Sequence, residues 1–389
     1  MADTRTTRRQ SARRPRRRPS RRLIVTAILL LLFGVPWWTL LLAGAHWPAA
    51  VVIVGTAVIA GAAVAMLRLM SPGHADRATV CGQTLLGAVW VFFTCSLLSL
   101  LLRAALAVAG VADPARSRIV ALAVLAVAAL LLAWGHYEAM RVPRVRPVDV
   151  RLPRLGAGLD GLRVAVITDT HFGPIDRSRW SAGVAERVNG LDADIVCHVG
   201  DIADGTVAVR RGQAEPLAAM RAHLARVYVT GNHEYYSEAQ GWLDYMTGIG
   251  WDALHNRHVV VERGGDRLVV AGVDDATARS SGLRGHGADL AEALAGADPE
   301  LPVLLLAHQP VQVAHAVDAG VDLQLSGHTH GGQIWPFHYL VRLQQPVVQG
   351  LSRHGERTQL YTSRGAGFWG PPFRVFAPSE ISLLTLRAA

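Results

Sequence analysis

Between Leu23 and Trp134 the chain contains four apolar runs without a charged side chain: Leu23–Leu42, Ala49–Leu67, Val80–Leu102 and Ile119–Trp134. Each is bounded by arginine, at Arg22, Arg68, Arg77, Arg103, Arg118 and Arg141. The first alone is twenty residues long, enough to cross a bilayer of about 30 Å. Helices of a soluble bundle would carry a polar stripe, and these do not. Four membrane-spanning helices are the expected fold of residues 23–140, with Pro36 kinking the first and Trp37, Trp38 and Trp47 suited to an interface.

Charge divides the chain in the same way. The formal net charge is +9, with all 39 basic residues being arginine. Residues 1–154 carry +15 and residues 155–389 carry −6. Ten arginines and a single acid, Asp3, fall within the first 22 residues, which have no aromatic side chain and too little apolar surface to bury a core. This tail is expected to be disordered. Short-loop arginine counts place the N-terminus and everything after residue 140 in the cytoplasm, with seventeen arginines inside against three outside. The segment Ser20-Arg21-Arg22 also resembles part of a twin-arginine export signal, which three further apolar runs disfavour. Residues 141–160 are rich in Pro, Val and Arg, and read as a semi-rigid linker or edge strand. Cys81, Cys95 and Cys197 offer no disulfide framework.

From residue 161 the texture becomes that of alternating strands and helices. Five β-branched runs end in polar residues: Leu162–Thr168 in Asp169-Thr-His171, Asp194–Val199 in Gly200-Asp201, Arg226–Thr230 in Gly231-Asn-His-Glu234, Pro302–Ala307 in His308, and Asp322–Ser326 in Gly327-His-Thr-His330. Helix-like spans lie at about 179–190 and 215–226. Ligands of open α/β sheets bind beyond the carboxyl ends of strands. Imidazole and carboxylate donors without thiolate suit Mn, Fe or Zn.

These five blocks, in order and complete, resemble the signature of calcineurin-like metallophosphoesterases. The run Ser326–Phe337 and the segment Tyr361–Gly367 are similar to a bacterial, membrane-anchored branch that includes cell-wall-associated phosphoesterases and UDP-2,3-diacylglucosamine pyrophosphatase-like proteins. The resemblance implies a four-layer αββα sandwich over residues 161–389 and two divalent metal ions. It implies Asp169, His171 and His330 on one metal, Asn232, His308 and His328 on the other, and Asp201 bridging both. It further implies His233 as the catalytic histidine, assisting attack by a hydroxide held between the metals. Glu234 either orients His233 or is exposed. Arg364, in a Gly-rich turn, is a candidate phosphate contact, its alternative being an ion pair.

The expected function is hydrolysis of a phosphoester or pyrophosphate on a lipid-linked or cell-envelope substrate at the plasma membrane. Aromatic loops at Trp335–Phe337 and Phe368–Phe373 would form a lipid-facing rim. Alternatives are a broad phosphatase or phosphodiesterase on soluble esters, and a non-catalytic membrane sensor. Nucleic acid is not expected as a partner, because the arginine tail lacks stacking aromatics and the C-terminal part is acidic.

Overall fold

The computed structural model describes residues 21–70 and 75–388. The expectation of a disordered tail concerns residues that, up to 20, lie outside those described. Arg21 and Arg22, included in that expectation, already begin a helix.

Four long helices come first: α1 (Arg21–Trp37), α2 (Ala49–Leu69), α3 (Asp76–Val108) and α4 (Ala115–Met140). Each is long and apolar enough to cross a membrane. Leu30, Ile53, Val58, Leu101 and Leu130 are exposed on their outer faces, the arrangement of helices covered by hydrocarbon rather than water. Pro36 removes one N–H from the hydrogen-bond ladder, and the helix continues past it as a π-helical turn, Trp38–Leu42. That turn's end meets the start of α4, where Ser117 Oγ bonds the Ala43 carbonyl and Arg118 Nε donates to the Ala45 carbonyl at 2.9 Å.

Helix α3 has 33 residues, about 50 Å at 1.5 Å per residue, more than a bilayer needs. Its first turns therefore enter the α/β part of the molecule. Asp76 pairs with both terminal nitrogens of Arg210 at 2.8 Å. Gly87 sits so close to Phe373 and Pro371 that a Cβ there would lie 2.6 and 2.8 Å from them. Trp90 Nε1 donates to the Ile334 carbonyl at 3.2 Å. On α4, the Gly135 carbonyl accepts from Arg374 N at 2.8 Å. Small residues at these positions let the backbones approach, as they do between membrane helices.

The α/β part contains twelve strands: β1 (Arg144–Leu152), β2 (Leu162–Ile167), β3 (Ile195–Val199), β4 (Ala225–Val229), β5 (Asp252–Ala253), β6 (Arg257–Arg263), β7 (Asp266–Gly272), β8 (Val303–Leu306), β9 (Leu323–Ser326), β10 (Gly350–His354), β11 (Thr358–Thr362) and β12 (Glu380–Ala388). They form two six-stranded sheets, ordered β1-β12-β2-β3-β4-β5 and β10-β11-β9-β8-β7-β6. Strands β2 to β5 run parallel, as do β7, β8, β9 and β11. Residues 144–152, within the stretch expected as a linker, are the edge strand β1, paired in parallel with β12 from Arg144↔Glu380 to Leu152↔Ala388. Alternating Val and Arg give that segment one buried face and one solvated face, which a sheet edge satisfies.

Period-two alternation divides the side chains between layers. Val164, Val166, Ile195, Cys197 and Val199 point between the sheets, where they meet Val270, Leu304, Leu306 and Leu325. Ala165, Ile167 and Val196 point outward beneath Trp180, Val184 and Val188 of α5 (Ser178–Asn189). The second sheet is capped on its outer face by Ala293 and Ala316 of short helices. The layers are αββα. The helix read at 215–226 lies earlier, as α6 (Val207–Ala214), followed by a 3-10 turn Glu215–Ala219. Pro216 fits the start of that turn and would break a helix running through it.

Candidate metal centre

The carboxyl ends of β2, β3 and β4 in one sheet and of β8 and β9 in the other open onto one rim. The loops leaving them carry Asp169 and His171, Asp201, Asn232 and His233, His308, and His328 and His330. Asp169, His171, Asp201, His328 and His330 all have positive φ, between 43° and 67°. A non-glycine residue held there costs on the order of 1–3 kcal/mol, and such strain concentrates at functional sites. Glycines supply the remaining closeness. A Cβ on Gly231 would overlap Asp201, and one on Gly327 would overlap Thr168 and Asp169.

The turns bring the side chains together in two overlapping groups. In the first, His330 Nε2 lies 3.4 Å and His171 Nε2 lies 3.9 Å from Asp169 Oδ1, and the two ring nitrogens are 3.1 Å apart. In the second, His308 Nε2 is 3.1 Å from Asp201 Oδ2, and His328 Nδ1 is 2.8 Å from Asn232 Oδ1. Asp201 Oδ2 is also 3.5 Å from His171 Nε2, so this carboxylate stands between the groups. The donor atoms of Asp169, His171 and His330 lie within 4.8 Å of one another, as do those of Asp201, His308 and His328.

The tautomers show what these atoms face. His308 Nδ1 is 2.7 Å from the Val199 carbonyl and must carry the proton. Its buried Nε2 faces Asp201 Oδ2, and although burial disfavours the imidazolium, Asp201 and the other carboxylates hold its pKa well above the ordinary histidine value. His171 Nδ1 lies 2.8 Å from Asp204 Oδ1, which turns Nε2 toward Asp169 and Asp201. Imidazoles and carboxylates gathered in a dry site need positive charge among them, supplied by a proton or by a metal ion. Burial pushes the Asp169 carboxyl up, and Asp201 adds to this against the opposing His308 and His171. The donor set therefore fits a pair of divalent cations held by imidazole, carboxylate and amide oxygen.

One residue of the centre escaped the sequence reading. Asp204 lies three positions beyond Asp201, its only signal. Its Oδ1 takes Nδ1 of His171 and also lies 2.7 Å from Nδ1 of His233. His233 therefore stands beside the first group with its ring oriented, and its backbone N–H donates to Asp201 Oδ1 at 2.9 Å. Burial disfavours its imidazolium, but Asp201 and Asp204 outweigh that and lift its pKa to about 9.

Glu234 does not orient His233. It is fully buried, and its carboxylate accepts from the backbone N–H groups of Asp201, Ile202 and Gly231 at 3.0, 2.6 and 2.5 Å. It thus ties the β3 turn to the β4 turn beneath the centre. Arg364 takes the ion-pair alternative: both Nε and Nη2 lie 2.7 Å from Glu380 Oε2, so the guanidinium expected at phosphate is engaged by a carboxylate. The nearby Arg374 is wholly buried and donates to the carbonyls of His330, Gly367 and Ala377, fixing the loop that carries His330. His198 is buried against Thr170 and Tyr228, as a core side chain. His286 belongs to a separate group with His255 and Asp274. Each imidazole there has ordinary partners, Tyr235 and Gln240 for His286 and Asp274 for His255.

The two sheets, their outer helices and the paired His/Asp groups at the strand ends form an αββα sandwich with a candidate site for two metal ions at its rim. The calcineurin-like phosphoesterase profile matches residues 162–332. A transmembrane protein with metallophosphoesterase domain from Danio rerio is 39% identical over 272 residues, covering 68% of this chain and 62% of that protein. Uncharacterized metallophosphoesterases from Campylobacter jejuni and Aquifex aeolicus are 35% and 32% identical, over 68% and 67% of this chain and 69% and 98% of theirs. The chain belongs to the calcineurin-like metallophosphoesterase family. It spans 62% of the length of the zebrafish protein and of a bovine one of the same description.

Proposed function

We propose that the chain is a multi-pass membrane hydrolase acting on a phosphoester or pyrophosphate of a lipid-linked substrate, with its catalytic part on the cytoplasmic side. Asp169, His171 and His330 would hold one divalent ion, Asn232, His308 and His328 the second, and Asp201 both; the donor chemistry favours Mn, Fe or Zn. When bound, two such ions supply Lewis-acid stabilisation of the transferring phosphoryl group and acidify a water. His233, with Nδ1 held by Asp204, presents Nε2 to the leaving oxygen and can hand it a proton. Trp369, half exposed, packs edge-on at 5.9 Å from the His233 ring and forms the lip of the site.

The observation that carries the lipid reading is that loops beside the site pack on the membrane helices, through Phe373 and Val375 and, lining a groove, Trp335 and Phe376. An apolar groove of about 370 Å³ runs between α3 and α4, lined by Val91, Leu98, Val124, Val127, Trp335 and Phe376. Trp335 and Phe376 come from the loops just beyond His330 and Arg374. The groove lies in the apolar part of the helices, which on this reading faces acyl chains. Of the expected aromatic rim, Phe368 and Phe373 are buried plugs, while Phe337 and Trp369 are exposed; Phe376, outside the expected stretches, is exposed as well. The negative C-terminal part argues against a nucleic-acid substrate. Orientation rests on the arginine asymmetry and on the even number of crossings.

The test uses the full chain in lipid nanodiscs with Mn, offered an aryl phosphodiester, a long-chain lipid phosphate and single-stranded DNA. Hydrolysis of the first two and not the third is expected, with Asp201→Asn inactive. Cleavage of the soluble ester with no turnover of any lipid phosphate would remove the lipid-linked reading and leave the soluble-ester phosphatase.

A further inference from the structure

Arg177, immediately before α5, is 2% exposed. Its backbone N–H is fixed by Gln213 Oε1 at 3.0 Å. The guanidinium lies flat between Trp180 and Phe368, 3.6 and 4.8 Å from their ring centres. Nη1 donates to the Thr170 carbonyl at 3.3 Å. Nε and Nη2 are buried and have no hydrogen-bond partner among the described residues. No carboxylate among them pairs with this cation; burial and the neighbouring Arg374 instead depress its pKa to about 9. A buried guanidinium without a counter-charge is costly to keep. The stacking rings hold it in one orientation but do not satisfy its donors.

Nε and Nη2 form one edge of the guanidinium, the edge that grips an oxyanion through two parallel hydrogen bonds. Arg177 lines a narrow slot together with His171 and Asp204 of the metal centre and Gln83 of membrane helix α3. The free space is 10 Å³, about enough for one oxygen atom. Asp204 is engaged by two imidazoles, so the charged donors left in the slot are those of Arg177, beside the neutral amide of Gln83.

We propose that Arg177 is an oxyanion site beside the metal centre, receiving a terminal oxygen of a phosphate group on its Nε–Nη2 edge. The phosphate has two possible sources: a second phosphate of the substrate, such as the far half of a pyrophosphate, or free inorganic phosphate, the product of a monoester. The first source rests on the hydrolase reading above; binding of free phosphate taken up from solution does not.

The test begins with the chelator-treated, metal-free full chain in nanodiscs, titrated calorimetrically with inorganic phosphate. Wild type is expected to bind with a Kd of about 1 mM or tighter. Arg177→Gln should bind at least about tenfold more weakly, and Arg177→Lys also more weakly, because an ammonium keeps the charge but not the fork. No heat of binding from wild type at about 10 mM phosphate overturns the site. So does full affinity in a folded Arg177→Gln, or in Arg177→Lys should the glutamine variant fail to fold.

With Mn present, KM separates the sources. A rise of about tenfold for a pyrophosphate-linked lipid, against a smaller rise for an aryl phosphodiester, assigns the oxyanion to the substrate. Equal KM changes, with weakened phosphate binding, assign it to free phosphate. Absence of turnover on every ester would sink the hydrolase reading while leaving the calorimetric result to judge Arg177.

Discussion

Asp204 Oδ1 lies 2.7 Å from Nδ1 of His233, which fixes the face that this imidazole turns to the metal centre. The same oxygen accepts from His171 Nδ1 at 2.8 Å, so one carboxylate orients a proposed metal ligand and the proposed proton donor together. Asp204→Asn keeps an acceptor oxygen but loses the negative charge that favours both protonated Nδ1 positions. Activity on an aryl phosphodiester is expected to fall about 10–100-fold, the usual consequence of losing such a partner. Mn titration of activity should shift to higher concentration in the same variant. Unchanged activity and unchanged Mn dependence would remove the orienting role.

Chelation offers a test that needs no substrate. The imidazoles of His171 and His308 and the carboxylates of Asp169 and Asp201 converge, with nitrogen-to-oxygen distances of 3.9, 3.5 and 3.1 Å. A divalent ion at about 100 times its Kd adds about 2.7 kcal/mol of stability, worth several degrees in a domain of this size. Thermal melting in detergent should therefore rise with Mn and fall back with chelator. Asp201→Asn, which alters the carboxylate between the two groups, should lose most of that response; an undiminished Mn shift in this variant would contradict the assignment.

What was legible in the sequence was what local order encodes. The apolar runs announce their helices because a bilayer demands length and absence of charge over consecutive residues. The five strand-end blocks could be read because each needs its glycine and its His, Asp or Asn within a few positions of a β-branched run. What escaped depends on distant partners. Strand β1 is defined by β12, more than 230 residues away. Arg177 sits in an Asp-Arg-Ser-Arg stretch with no local sign of burial, and side chains as distant as Gln213 and Phe368 enclose it. Arg364 looked available for phosphate because Glu380, its partner, is 16 residues away. Glu234 looked like a neighbour of His233, whereas the helical turn points it back under Asp201.

If the groove between α3 and α4 admits an acyl chain, filling it should discriminate between substrates by chain length. Leu98 lines the groove from α3, and Leu98→Trp adds bulk there without touching the metal rim. Activity on a long-chain lipid phosphate is expected to drop about tenfold, in proportion to the lost apolar contact. Activity on a water-soluble aryl ester should stay within about twofold, since distant changes act independently. Parallel loss on both substrates would show that the groove serves only packing.

The ion pair that engages Arg364 gives a pH-dependent prediction. Glu380 is buried on β12 and accepts from Arg364 Nε at 2.7 Å, Tyr361 Oη at 2.9 Å and Arg146 at 3.4 Å. Burial alone would raise its carboxyl, but Arg364, Tyr361 and Arg146 together hold it below the ordinary glutamate value. A carboxyl depressed in the folded state contributes stability that is present above its unfolded pKa, about 4.3, and is lost as pH falls through the folded value. Wild type should therefore exceed Glu380→Gln in melting temperature near neutrality, and the gap should close below about pH 4. Arg364→Ala should lose about 2 kcal/mol, the scale of hydrogen bonds to a buried charge, while KM for an aryl ester stays within about twofold. A KM that rises by about tenfold at unchanged melting temperature would instead return Arg364 to the phosphate, with Glu380 as the group that releases it.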